Sequence, residues 1–310
     1  MAALAVLAAC ENSASQSAEP VRLYTSVTED TVDAVVTAYR DAHPGAQVEV
    51  FKAPTGPLNA RIAAERREGG ITADVLWLTD PPSIQQYAQQ DLLRRWTPEH
   101  SSAVPPEYRS DTFWGTRLLY MVIVHRTDVV PAPGSWRSLA QPAYQVAIPD
   151  PAYAGSAHGA LSYFGLADGF GLDYYRDLKA NGATQVLAPD EVVAGVAEGR
   201  FDAGMTLDYS VRVAKQAGSP VELVWPDPGG IAMHSPIAVF ESSSDPEGAE
   251  DFVDFVLTRE AQEAIASTGW HPIRGDVPGP PVGRHVTADW SKAFQRQEEF
   301  LQEYRTVFGG

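Results

Sequence analysis

The stretch LYTSVTEDTVDAVVTAYRDAHPGAQVEV, Leu23 to Val50, decides the fold. Arg22-Leu-Tyr-Thr-Ser26 has the composition of a strand. Val32, Val35, Val36 and Tyr39 then recur at i, i+3, i+4 and i+7, the period of one helix face. His43-Pro44-Gly45 stops that helix, and Val48 to Lys52 begins a second strand. Strand, helix and strand in so short a span form the unit from which parallel sheets are wound.

The unit repeats outward. Ala53-Pro-Thr-Gly-Pro57 leads into a helix carrying Leu58, Arg61, Ile62 and Glu65, with Pro57 in the first turn, where its missing N–H leaves no gap. Asp74-Val-Leu-Trp-Leu-Thr79 reads as a buried strand, and Ile84, Tyr87, Ala88 and Leu92 as the helix after it. Leu118 to His125 is an apolar strand long enough to run from one domain into another. Gln145 to Pro149 is a strand, a helix begins at Gly159 to Leu166, and Val192, Val193, Val196 and Ala197 mark another helix. GMTLDYSVRV, Gly204 to Val213, follows as a short apolar strand ending in Asp208-Tyr209. Val221 to Trp225 and Ile237 to Phe240 are expected to return to the first domain as strands. Ala249, Phe252, Val253 and Val256 share a helix face, and Ala293 to Arg305 is a charged helix.

The expected architecture is α/β, two lobes joined by two crossing strands. Residues 1–20 form a leader and tether, 21–117 with 232–275 lobe one, 118–231 lobe two, and 276–310 a C-terminal helical extension. At 310 residues and 44% hydrophobic content the chain can fill two cores. Its formal charge of −17, from 23 basic and 40 acidic residues, argues against nucleic acid as a partner.

The single cysteine lies in MAALAVLAAC, where Leu7-Ala8-Ala9-Cys10 ends a short apolar run. The polar, small-residue stretch Glu11 to Pro20 has the composition of a flexible tether. Leu-Ala-Ala-Cys resembles the lipobox of bacterial lipoproteins, which implies lipid modification at Cys10. On that reading the mature protein is a soluble body outside the cytoplasm, anchored to the cell membrane by a lipid, with a periplasmic location as the alternative.

In sheets of this kind ligands sit beyond the carboxyl ends of the strands. Four junctions there carry short polar residues: Thr25-Ser26 with Thr28, Thr55-Gly56, Thr79-Asp80, and Gly155-Ser156. Each offers hydroxyls and backbone N–H groups to an anion, or merely an N-cap to its helix. No Gly-x-Ser-x-Gly elbow, HExxH, P-loop or CxxC is present. Ser156, His158 and Asp150 lie within nine residues, an arrangement that does not suggest a catalytic triad. No enzyme activity is expected.

Several segments together resemble the bacterial extracellular solute-binding proteins of ABC importers. They are the opening stretch, APTGPLNARIAAERREGGITADVLWLTD, DPAYAGSAHGAL, AEGRFDAGMTLDYSVRVAKQAGSPVELVWP, and SPIAVF with EGAEDFVDFVLTREAQEAI, spanning about Val21 to Pro272. The cluster resembled includes ferric-iron, 2-aminoethylphosphonate and sugar-phosphate binding proteins. The resemblance implies a type II two-lobe periplasmic binding fold, a membrane permease and ATPase as partners, and a monomer.

Ferric members of that cluster use a consecutive Tyr-Tyr pair, which this chain replaces by Asp208-Tyr209, while Thr28 stands where they often have His. Tyr174-Tyr175 lies in a helix and is expected to serve packing and surface. The organic-anion members have hydroxyl-glycine loops, matched here by Thr55-Gly56 and Gly155-Ser156-Ala157-His158. The resemblance therefore implies a phosphate- or phosphonate-bearing solute with Ser26, Thr55, Gly56, Asp80, Ser156, His158, Asp208 and Tyr209 as its contacts. No cofactor is expected. Asp208 is expected to face an amine or hydroxyl of the ligand. The alternative is Fe3+ as ligand on Tyr209 and Asp208, and Asp80, Asp150 and Asp208 are candidates to converge on a cation. A sensing subunit of a signalling system is the alternative of another class.

Overall fold

The computed structural model describes residues 19–309, so the leader, Cys10 and most of the tether lie outside the described residues. The first alternation is β1 (Val21–Thr25), α1 (Glu29–Ala42), β2 (Val48–Lys52), α2 (Thr55–Glu68), β3 (Val75–Trp77) and α3 (Pro81–Gln89). After two short 3-10 turns comes the long β4 (Trp114–Arg126). The second alternation holds α4 (Trp136–Leu139), β5 (Val146–Pro149), α5 (Gly155–Leu166), α6 (Asp173–Ala180), β6 (Thr184–Val186), α7 (Pro189–Ala197), β7 (Ala203–Leu207), α8 (Asp208–Gln216) and β8 (Val221–Val224). The chain ends through β9 (Gly230–Val239), α9 (Pro246–Val256), α10 (Arg259–Ser267), β10 (His271–Pro272), β11 (His285–Val286) and α11 (Trp290–Phe308).

All the strands join one sheet, with the main path β2-β1-β3-β9-β4-β7-β5-β6. Parallel groups form its two wings, β1 with β2 and β3, and β5 with β6 and β7. The centre is the antiparallel pair β4 and β9. One end of β9, Ile237 to Val239, pairs with β3, and the far half of β4, Met121 to His125, pairs with β7. The two crossing strands thus belong to both lobes. Each is an almost unbroken buried run because helices cover both faces.

The returning strand differs from the expectation. β8 does not lead back to the first lobe: it pairs with Ile123 to Arg126, at the lobe-two end of β4. The return is made by β9 alone, ten residues rather than the four apolar ones of Ile237 to Phe240. His234, Ser235 and Pro236 interrupt the apolar pattern that marks a strand, yet all three are buried in it. Tyr174 and Tyr175 are both buried in the core around Phe164, so neither is a surface residue.

α11 packs on α3 from lobe one and on α5 and α6 from lobe two, so the C-terminal helix lies across both. Phe300 is fully buried there, and a side chain at Gly165 would put Cβ 2.7 Å from its ring. Among the described residues no helix is long and apolar enough to cross a membrane.

Candidate ligand-binding cleft

A cleft of about 710 Å³ lies between the lobes, at the carboxyl ends of the parallel strands. On the lobe-one side three hydroxyls form a triangle. Thr55 Oγ1 donates to Ser26 Oγ at 3.0 Å and lies 3.2 Å from Thr79 Oγ1, and Ser26 Oγ is 3.3 Å from Thr79 Oγ1. Ser26 follows β1, Thr55 opens α2, and Thr79 follows β3, so the triangle is assembled by the parallel wing.

From lobe two the start of α5 meets this triangle. A Cβ on Gly155 would lie 2.5 Å from Thr55 Oγ1 and 2.6 Å from Thr79 Oγ1, an approach that only glycine permits. Beside it, the Gly56 N–H donates to the Tyr153 carbonyl at 3.2 Å, joining the lobes through backbone.

Five helices begin on this cleft: α1, α2, α5, α7 and α8 each place first-turn or cap residues in its lining. None of the five has a side-chain N-cap hydrogen bond. Of the helices that begin elsewhere, α3, α4, α9, α10 and α11 are capped, by Asp80, Ser135, Asp245, Thr258 and Asp289, while α6 has no such bond. An uncapped N-terminus presents free N–H groups and the positive end of a helix dipole. Helix N-termini favour an anion, although Glu29, Asp30 and Asp190 stand at the starts of α1 and α7 in the same lining and the Gly56 N–H of α2 is already engaged.

Arg117, on β4, adds to that preference. It lines the cleft, has no accessible surface, and none of its three guanidinium nitrogens has a hydrogen-bond partner among the described residues. Its guanidinium lies 4.0 Å from the ring centroid of Trp270, which stacks in turn on Tyr209 at 4.1 Å. Burial pushes the pKa of Arg117 down to about 9, partly opposed by Asp30, so it carries its charge at neutral pH. An unpaired buried charge is costly, and a bound anion is the partner that would relieve it.

The expected site residues divide. Ser26, Thr55, Ser156 and Tyr209 line the cleft. The Tyr209 hydroxyl donates to Asp30 Oδ2 on α1 at 2.8 Å, a bond from lobe two to lobe one. Burial first, then that hydrogen bond, pushes its pKa up to about 12. Gly56 and His158 line a separate cavity of about 140 Å³. Asp80 is fully buried, capping α3 through Ser83 N at 2.8 Å, with His158 Nδ1 3.5 Å away.

Asp208 does not line the cleft. Its Oδ2 accepts from Arg212 at 3.0 Å and lies 2.7 Å from His271 Nε2, and the carboxylate itself has no exposure. The expected contact with a ligand amine is therefore replaced by an internal ion pair near the hinge. Asp80, Asp150 and Asp208 do not converge, and among the described residues no three His, Cys, Asp or Glu side chains gather as a metal-holding group.

Arg117 and Trp270 were absent from the sequence-based site. The signal for Arg117 was one cation at the head of the otherwise apolar run LLYMVIV. For Trp270 there was none, because only the fold brings it over β4.

The sequence model of the family described as bacterial extracellular solute-binding protein matches residues 21–271. A putative 2-aminoethylphosphonate-binding periplasmic protein of Salmonella typhimurium is 27% identical over 258 residues, covering 79% of this chain and 74% of that one. Among solved structures, a periplasmic binding protein of Actinobacillus pleuropneumoniae with fructose-6-phosphate bound superposes with a TM-score of 0.84 at 17% identity, covering 93% of this chain and 98% of that one. Iron-bound HitA of Pseudomonas aeruginosa has a TM-score of 0.79 at 24% identity, covering 93% and 99%.

Proposed function

From the chain's membership of the bacterial extracellular solute-binding protein family, as the substrate-binding component of an ABC importer, we propose that its solute bears a phosphate or phosphonate group. Arg117 carries this reading, as a buried guanidinium in the cleft lining with no hydrogen-bond partner among the described residues. Ser26, Thr55 and Thr79 with the start of α5 at Gly155 and Ser156 complete an anion cradle. The Salmonella relative, named for a phosphonate ligand, supports the same class. Lobe one (21–117 with 232–275) and lobe two (118–231) close over the solute and deliver it to a permease, and the cleft performs no chemistry. Cys10 would hold the protein to the membrane by a lipid.

Ferric iron is the weaker reading. Arg117 would repel a trivalent cation in the same cleft, and the Tyr209 hydroxyl is already engaged by Asp30.

A thermal-shift series with inorganic phosphate, phosphonates and sugar phosphates tests the proposal, since a tight ligand raises the melting temperature by mass action. A shift of several degrees that disappears in Thr55→Val and Ser156→Ala is expected. Hits left unchanged by both substitutions would remove the cradle. A visible charge-transfer band with Fe(III), lost in Tyr209→Phe, would favour iron instead.

A further inference from the structure

The cleft does not end at the anion cradle. It continues along lobe two between α7 and α8, where Val193, Ala194, Ala197, Val213 and Ala214 line the same cavity. From Ala188 to Ala197 the wall extends about 13 Å at the helical rise per residue. The charged lining residues are Arg117 and Lys52, with Glu29, Asp30 and Asp190 at helix starts, and none of them lies on the helix stretch from Val193 to Ala197 or at Val213 and Ala214. Ser210 donates to Asp190, which ties the starts of α7 and α8 together and leaves the apolar stretch beyond them.

Small side chains at 194, 197 and 214 make the groove, and Val213 forms its outer wall at 45% exposure. One exposed valine means little alone, but Val213 stands with Val193, Ala194, Ala197 and Ala214 in one lining, and a contiguous apolar wall in a cleft is a surface suited to an apolar ligand.

Resting on the anion reading above, we propose that the solute is an organophosphonate or phosphate monoester whose other end is an uncharged apolar chain or ring. The anion sits in the cradle, and the chain runs between α7 and α8. Trp270 and Tyr209, stacked on each other in the same lining, give the first carbons an aromatic wall. The groove replaces a second polar contact, consistent with Asp208 being withdrawn to Arg212 and His271.

Isothermal titration of the full chain with methylphosphonate, n-hexylphosphonate, 2-aminoethylphosphonate and inorganic phosphate tests this. Each methylene that the groove covers improves affinity about fourfold, so hexyl is expected to exceed methyl by ~100-fold or more. 2-Aminoethylphosphonate is expected to bind no better than methylphosphonate. Ala194→Glu and Val213→Asp change positions along the groove and are expected to abolish the chain-length dependence while methylphosphonate binding persists. Equal affinity for methyl and hexyl, tighter binding of the amine, or chain dependence surviving both variants would overturn the proposal and leave the anion reading standing. Failure of phosphate and every phosphonate to bind would overturn both.

Discussion

At the residue scale the decisive group is Arg117. An ionised side chain without a partner in the interior is a net cost to folding, so its presence needs a reason outside stability. Arg117→Met is expected to raise the melting temperature of the unliganded protein, because it removes that cost while keeping the packing against Trp270. It should also weaken anion binding by about 2 kcal/mol or more, roughly thirtyfold, the range seen when one partner of a buried charged contact is lost. Calorimetric scans and titrations on one preparation check both signs. Asp208 should behave oppositely. Asp208→Asn breaks the pairing of a fully buried carboxylate with Arg212 and His271, and a loss of about 3 kcal/mol in denaturant unfolding is expected with little change in affinity. A large affinity loss at unchanged stability would return Asp208 to the site.

At the scale of elements, β9 carries an unusual passenger. His234 is buried among Tyr108 and Phe113 with neither ring nitrogen partnered, and burial pushes its pKa down to about 3. In the unfolded chain the same group takes up its proton near its ordinary value of 6.5. The unfolded state therefore binds more protons between those values, and stability falls as pH drops through that window. The contribution approaches about 1.4 kcal/mol per pH unit. His234→Phe is expected to flatten the stability profile between pH 6.5 and 3 relative to the parent, measured by urea unfolding at stepped pH. The helices show a related division. Five of those remote from the cleft, though not α6, spend a side chain on their cap, whereas among the described residues none of the five that face it has a side-chain N-cap bond.

At the scale of the whole molecule the lobes meet through positions that tolerate no side chain. A Cβ on Gly56 would stand 2.0 Å from the Ala152 carbonyl oxygen, backbone against backbone across the lobes. Gly56→Ala should leave each lobe folded but hold them apart, lowering affinity at least about tenfold, or 1.4 kcal/mol. Small-angle scattering checks it: the variant with ligand should keep a larger radius of gyration than the liganded parent. Tyr209→Phe removes only the hydrogen bond to Asp30, worth about 1 kcal/mol, and should weaken closure more mildly. α11 lies across α3, α5 and α6, so any opening of the lobes must slide or bend this helix.

Much of this was legible in the chain, for a physical reason. The 3.6-residue period of α1 and the apolar runs of β1, β3 and the middle of β4 are local patterns, and they determined an α/β protein with strands crossing between two lobes. That Ser26, Thr55 and Ser156 line the cleft was also legible, because strand-to-helix junctions of a parallel sheet gather at the carboxyl ends of its strands. The length of β9 was not, since its polar residues become acceptable only when neighbouring strands and helices bury and pair them. Tertiary structure alone decided which polar groups line the cleft. It set Arg117 under Trp270 without a counter-ion, gave Asp208 to Arg212 and His271, and opened the groove between α7 and α8. Those outcomes depend on residues far apart in sequence meeting across the hinge, and charge pairing and desolvation exist only once they do.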